Sequence, residues 1–287
     1  MPLIIQKKIK LLKSPLNLVI IDSKIFVSTK SNKVIETNLN LSKQRSIVFK
    51  ENINSIIQDG HTLICLSKNK SVCKYNILTD KKHYINIKYD ISYIKKTDNN
   101  TKYLLGLTGG KVLYSTFDFN PIRMLYGCTA KILEIVDDIK GKLFIANNKF
   151  IMIDIKTGKL KIQNIDFTTS CCFLSKKTLV LGTDNGIFLY DTEKDRIINK
   201  LELNSPVSCL KILGDKLLVG CENGVFYIFK ISNFEMKLIE EVFLYGIINF
   251  IETVNNVVYI GVGKEERNGA FGKNRNFKNL LYKCVMN

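Results

Sequence analysis

The sequence predicts an all-β fold, a seven-bladed β-propeller closed by its own N-terminal strand, and three observations lead there. Short alternating apolar runs recur along the 287 residues, each followed by a polar turn and a second alternating run, the pattern of paired strands with one buried face. The second runs end at Asn38, Asn76, Thr116, Asp154, Asp191 and Phe229, spaced by 38, 40, 38, 37 and 38 residues. A period near 40 with four short strands per unit is that of WD-type propeller blades. Thirdly, apolar residues at helical spacing are almost absent.

Taken in order, the elements begin with Leu3-Ile4-Ile5-Gln6-Lys7-Lys8-Ile9-Lys10, a strand with no hairpin partner nearby in sequence. The first repeat pairs Lys24-Ile25-Phe26-Val27-Ser28 with residues 33–38, and the second pairs Leu63-Ile64-Cys65-Leu66-Ser67 with residues 71–76. Thr116 and Asp154 mark the third and fourth. In the fifth and sixth, residues 179–191 and 218–229, the strands meet at Asp184-Asn185-Gly186 and Glu222-Asn223-Gly224, hairpin turns built from residues that accept positive φ. The seventh marker falls near Cys284, 55 residues after Phe229, so about 17 residues are inserted there beyond the period. The insertion spans about residues 262–278. After its third strand this last unit runs out of chain, and strand 3–10 is expected to supply the fourth, protecting the blade edges. Residues 1–287 thus read as one propeller domain without a linker. The chain has no Trp; Tyr190-Asp191, Ile153-Asp154 and Tyr75-Asn76 stand where Trp-Asp pairs end such repeats.

Composition narrows the function. No stretch approaches the roughly 18 to 20 apolar residues of a membrane span, and the charges at the N-terminus follow a very short apolar run, the reverse of a secretory signal. We therefore expect a soluble protein of a reducing compartment, with the eight cysteines acting mainly as small hydrophobes. Catalysis has little material: His61 and His83 are the two histidines, and neither a nucleophile elbow nor a phosphate-binding loop occurs. His61, Cys65, Cys73 and His83 fall on successive strands, at spacings that match no familiar zinc pattern. No enzyme activity, cofactor, metal or small-molecule substrate is expected.

The net charge is +17 with only five arginines, Arg45, Arg123, Arg196, Arg267 and Arg275. A lysine bias of this kind is also what an AT-rich genome produces, so distribution matters more than the total. Residues 1–13 carry +4, residues 261–287 carry +4 and residues 166–243 carry −2. Ring closure makes the two basic segments neighbours. Lys7, Lys8 and Lys10 can be ordinary edge protection; Arg267 and Arg275 are of the type that grips phosphate or carboxylate bidentately.

The inserted phrase is Gly261-Val262-Gly263-Lys264-Glu265-Glu266-Arg267-Asn268-Gly269-Ala270-Phe271, followed by Lys273 and by Asn279 opening the last strand. It is polar and glycine-rich, unlike core. It resembles the C-terminal signature of the WD-repeat protein of the U3 small nucleolar ribonucleoprotein, Gly-x-Gly-Gln-Glu-His-Arg-x-Gly-Arg-Trp. Glu266, Ala270 and Phe271 replace that family's His, Arg and Trp, and the family's acidic, lysine-rich N-terminal extension is missing. The resemblance implies a reduced, non-catalytic member in the nucleolus of the nucleus. It would bind U3 small nucleolar RNA beside a kink-turn-binding protein and other small-subunit processome proteins, in 18S pre-rRNA processing and ribosome biogenesis.

The expected RNA contacts are Lys264, Arg267, Lys273, Arg275 and Lys278, joined by Lys7, Lys8 and Lys10. Gly261, Gly263, Glu265, Gly269 and Phe271 are expected to shape the loop or touch a partner, with Glu265 steadying Arg267 or facing a basic protein. Phe271 and Phe277 offer ring faces to unstacked bases. The alternative reading is a protein-only WD-repeat scaffold of another assembly, whose binding would not depend steeply on salt.

Overall fold

The structure, a computed structural model, describes residues 3–67, 70–97, 102–127, 133–137, 142–146, 149–154, 157, 159–265 and 276–286. Its strands are β1 (Leu3–Lys10), then β2 (Pro15–Ile21), β3 (Lys24–Thr29), β4 (Lys33–Asn38) and β5 (Gln44–Val48), then β6 (Ile53–Asp59), β7 (Thr62–Ser67), β8 (Ser71–Asn76) and β9 (Lys82–Asn86). Next come β10 (Ile91–Lys96), β11 (Tyr103–Leu107), β12 (Lys111–Ser115) and β13 (Pro121–Gly127), followed by β14 (Glu134–Asp137), β15 (Lys142–Ala146), β16 (Lys149–Asp154) and β17 (Leu160–Asp166). The chain continues with β18 (Ser170–Ser175), β19 (Thr178–Thr183), β20 (Gly186–Asp191) and β21 (Arg196–Glu202), and with β22 (Val207–Leu213), β23 (Lys216–Cys221), β24 (Val225–Ser232) and β25 (Glu235–Phe243). It ends with β26 (Ile247–Val254), β27 (Val257–Gly263) and β28 (Leu280–Met286).

From β2 to β25 each group of four consecutive strands forms one antiparallel sheet, giving six contiguous blades; β26, β27 and β28 form a sheet only with β1, in the order β1-β28-β27-β26. The description of seven like repeats is amended accordingly: the chain carries six complete units, and its final three strands make a composite blade with the first. Leu3 pairs with Met286 and Lys10 with Leu280 across that seam. The N–H of Leu3 also donates to Glu240 Oε2 on the neighbouring blade, at 2.6 Å.

The core lies between blades. Ile9, Leu11, Leu18, Ile25, Val27, Leu41, Phe250, Tyr259 and Leu281 form one buried cluster joining the composite blade to the first contiguous one, each side chain of this size contributing about 1.5–3 kcal/mol by leaving water. Thus the point of closure is packed by the same apolar matter as the rest of the ring.

Polar side chains add a belt around the inner strands. The first strands of four blades, β2, β6, β22 and β26, bulge between Pro15 and Asn17, Ile53 and Ser55, Val207 and Cys209, and Ile248 and Phe250, and a bulge re-aims the side chains beside it. Asn17 Nδ2 donates to the Ile56 carbonyl at 3.1 Å, the Thr169 hydroxyl to Val207 and the Ser208 hydroxyl to Ile248. Asn249 Nδ2 donates to the Pro15 carbonyl at 2.9 Å. Each bond passes from one blade to the next, and the last of them crosses the closure.

Inside the belt is an axial cavity of about 270 Å³. Its lining carries a single carboxylate among the described residues, Glu252, which is ion-paired with Lys211 at 2.6 Å.

Candidate nucleic-acid interface

In a ring of four-stranded blades, turns between second and third strands share one end with the crossovers between blades. At that end the connection from β27 to β28 runs through residues 264–279, the longest such turn. Glu266, Arg267, Gly269, Phe271, Lys273 and Arg275, which the sequence assigned to its middle, lie outside the described residues. Its two roots are described, and the fold holds both.

At the C-terminal root, Asn279 Oδ1 accepts from the Ser14 hydroxyl at 3.0 Å and from the Lys264 N–H at 2.9 Å. The Asn279 carbonyl accepts the Leu11 N–H at 2.9 Å, and the Lys278 N–H donates to the Tyr245 carbonyl at 2.9 Å. At the N-terminal root, Asn249 Nδ2 donates to the Glu265 carbonyl at 3.0 Å. The excursion is therefore fastened to the crossover on either side of the composite blade, residues 11–14 and 244–246.

Glu265 has a partner within the chain. Its carboxylate pairs with Lys30 at 3.2 Å, both side chains being about one quarter exposed. This ties the N-terminal root of the loop to the first contiguous blade.

Gly261 and Gly263 stand in the strand that leads into the excursion. They are buried residues of β27, not loop residues. A Cβ on Gly261 would lie 2.1 Å from the Phe250 ring, and one on Gly263 would lie 2.8 Å from Asn249 Nδ2 and from Ser14 Cβ. Neither has the positive φ that demands glycine. Their role is close approach: they leave room for the aromatic core and for the very residues that fasten the loop.

Of the predicted cations, Lys10 stands opposite Leu280 and so beside the loop root, while Lys8 stands opposite Tyr282 and Lys7 opposite Lys283. All three are exposed along the outer edge. The Lys283 ammonium donates to Asn40 Oδ1 at 2.8 Å, which draws it away from Lys7. Lys278 is exposed and Lys264 half-buried. The same end of the ring also exposes Lys13, Lys50, Lys70 and Lys88 on neighbouring turns, with Glu51 and Asp90 on the same crossovers as Lys50 and Lys88; the turns between second and third strands of the two blades before the composite one carry Asp184 and Glu222.

Four residues of this region escaped sequence reasoning. Ser14 and Asn249 are buried polar groups, which carry no signal in a hydrophobic pattern. Phe243, the last residue of β25, and Tyr245, on the crossover after it, are exposed aromatics, 48% and 56% accessible; an aromatic pair at a strand end was the available clue. Phe277 is half-buried. In the second contiguous blade His61 hydrogen-bonds Asp22 at 2.6 Å, and among the described residues no group of three or more His, Cys, Asp or Glu side chains could hold a metal.

No protein-family model and no curated protein matches the chain in sequence. Solved structures resemble it over nearly its whole length. U3-55K superposes with a TM-score of 0.83 at 14% identity, covering 99% of this chain and 98% of that one. The WD40 repeats of RRP9 give 0.85 at 14% identity, covering 99% and 97%, and the WD40 β-propeller domain of Doa1 gives 0.79 at 14%, covering 100% and 97%. A chain of the mitotic checkpoint complex is also similar, at 0.81 and 10%. At such identities the likeness establishes the fold, a WD40-type all-β propeller.

Proposed function

We propose that this chain is a non-catalytic WD-repeat subunit of a U3-type small nucleolar ribonucleoprotein. In this reading it grips U3 RNA with the basic excursion of its composite blade and holds neighbouring proteins, among them a kink-turn-binding protein, on the rest of its ring. The observation that carries the reading is the excursion itself. It is a long turn rich in basic residues, rooted on both sides by side-chain hydrogen bonds and set beside a lysine-bearing outer strand. Folding alone gives no reason for a turn of that length and charge. A protein selecting against phosphate would not place it there.

The resemblance of residues 261–271 to the U3 WD-repeat family supports the choice of RNA, and the likeness to U3-55K agrees with it. Doa1 and the mitotic checkpoint complex, at comparable scores, keep protein partners equally within the reading. Work in the nucleolus, on 18S pre-rRNA and the small-subunit processome, follows from the same proposal.

The test is a variant with Lys264, Arg267, Lys273 and Arg275 replaced by Glu. It is expected to unfold at the wild-type temperature and to lose RNA affinity, with the wild-type slope of log affinity against log salt, about −0.7 to −0.9 per neutralised phosphate, becoming shallower. Crosslinking in native extract should recover U3 RNA. Wild-type affinity in the folded variant would refute the loop assignment, and salt-insensitive association would favour the protein-only scaffold.

A further inference from the structure

Resting on the RNA reading above, we propose that Phe243 and Tyr245 form a stacking platform for an unpaired RNA base beside the C-terminal root of the basic excursion. The crossover that carries them is wedged in place. Leu244 is buried, and its N–H donates to the Gly224 carbonyl at 2.9 Å. The Tyr245 carbonyl receives the Lys278 N–H at 2.9 Å. A Cβ on Gly246 would stand 2.8 Å from the Lys278 carbonyl, and one on Gly224 only 3.1 Å from Phe243 Cε2. The segment is thus clamped between the last contiguous blade and the loop root, leaving it little freedom to move.

This rigidity serves two rings that the core does not use. Tyr245 adopts the left-handed conformation at φ 55°, a state that costs a non-glycine residue on the order of 1–2 kcal/mol, yet its ring points into solvent. The Phe243 and Tyr245 centroids are 4.9 Å apart with the planes at 63°, so the two present faces in different directions. Lys278 Nζ lies over the Tyr245 ring, 5.8 Å from its centroid, so a base that stacks on that face displaces the ammonium, which is then within reach of the nucleotide's phosphate. Fixed aromatic faces beside cations are how single strands are held without sequence readout, and a duplex, its base faces covered, cannot use them.

The experiment compares binding of an unstructured RNA of about 16 nucleotides with that of a fully paired duplex, for the wild type, Tyr245→Asn, Tyr245→Phe and Phe243→Leu. Asn tolerates the left-handed backbone, and thermal unfolding checks the fold of each variant. Tyr245→Asn is expected to weaken single-strand binding about tenfold at unchanged salt slope while leaving duplex binding alone; Tyr245→Phe should restore wild-type affinity and Phe243→Leu should fall between. If the wild type binds RNA and both Tyr245→Asn and Phe243→Leu match it, the platform is overturned and the RNA reading stands. Equal losses on single strand and duplex also overturn it, as does loss of a copurifying protein at full RNA affinity. A wild type that binds neither RNA overturns both proposals.

Discussion

Asn249 and Pro15 are 234 residues apart in the chain and are joined by a buried hydrogen bond of 2.9 Å. Ser208 makes the equivalent link to Ile248 one junction earlier. The longer asparagine adds what serine cannot, a second donation to the Glu265 carbonyl at 3.0 Å, so one amide closes the ring and roots the excursion. Its Oδ1, by contrast, is buried without a hydrogen-bond partner, an internal cost that only a gain elsewhere would sustain.

Asn249→Ala should lower unfolding free energy by about 2–4 kcal/mol, because two carbonyls lose their donor. Asn249→Ser, which can still reach Pro15 and removes the orphan oxygen, should recover at least half of that in urea denaturation. Only the loop root should then loosen, seen as faster hydrogen exchange at the Lys264 amide while the β26 and β27 amides stay protected.

Gly261→Ala forces a methyl against Phe250 and is expected to cost about 1–3 kcal/mol by overpacking. Adding Phe250→Leu, which withdraws the ring, should restore part of the loss. The double-mutant cycle would then show a favourable coupling between the two sites.

Asp59 links the second and third contiguous blades, accepting from Lys96 Nζ and from the Tyr103 hydroxyl at 2.8 Å. Burial pushes its carboxyl upward, but the Lys96 and Tyr103 hydrogen bonds and the nearby ammonium groups outweigh it and hold the pKa below the usual range. A depressed folded-state pKa stabilises the fold above the unfolded value, about 3.9, and that stability is lost as pH falls through the folded value. Asp59→Asn should therefore be less stable than the wild type near pH 7, and the two melting temperatures should converge as acid titrates the carboxylate.

The buried thiols of Cys73, Cys221 and Cys284 should ignore alkylating reagents in the native protein. Burial pushes Cys221 and Cys284 up to about 12 and Cys73 up to about 11. At pH 8 the thiolate of the first two is then about one part in ten thousand, and the protein also blocks access. Mass spectrometry after brief iodoacetamide treatment should find the half-buried Cys172 modified ahead of Cys221 and Cys284, and all of them modified once the chain is denatured.

Much of the strand layout was legible because alternation is enforced by burial. Asn38, Asn76, Asp154 and Asp191 each end a third strand, and residues 3–10 form β1 as read. What alternation could not convey was space. Gly261 and Gly263 looked like loop because glycine carries no hydrophobic signal, whereas the missing side chains are what let Phe250, Asn249 and Ser14 come close. The fasteners of the site were equally hidden, since Ser14 and Asn249 reveal their use only when residues more than 230 positions apart become neighbours. Asn279, expected to open the final strand, stands just before it and binds three partners at once.

During synthesis β1 leaves the ribosome about 270 residues before the strand it pairs with, judged from Lys10 opposite Leu280. At about 5–20 residues per second the strand waits roughly 15–55 s with its backbone edge open, longer than most folding steps of a single blade. An unpaired strand carrying Ile4 and Ile5 is an invitation to join another nascent chain, and a run of ammonium groups on the same strand repels such a neighbour. Lys7, Lys8 and Lys10 can thus act first as guardians of an unfinished ring, and only once the clasp has shut as part of its charged face.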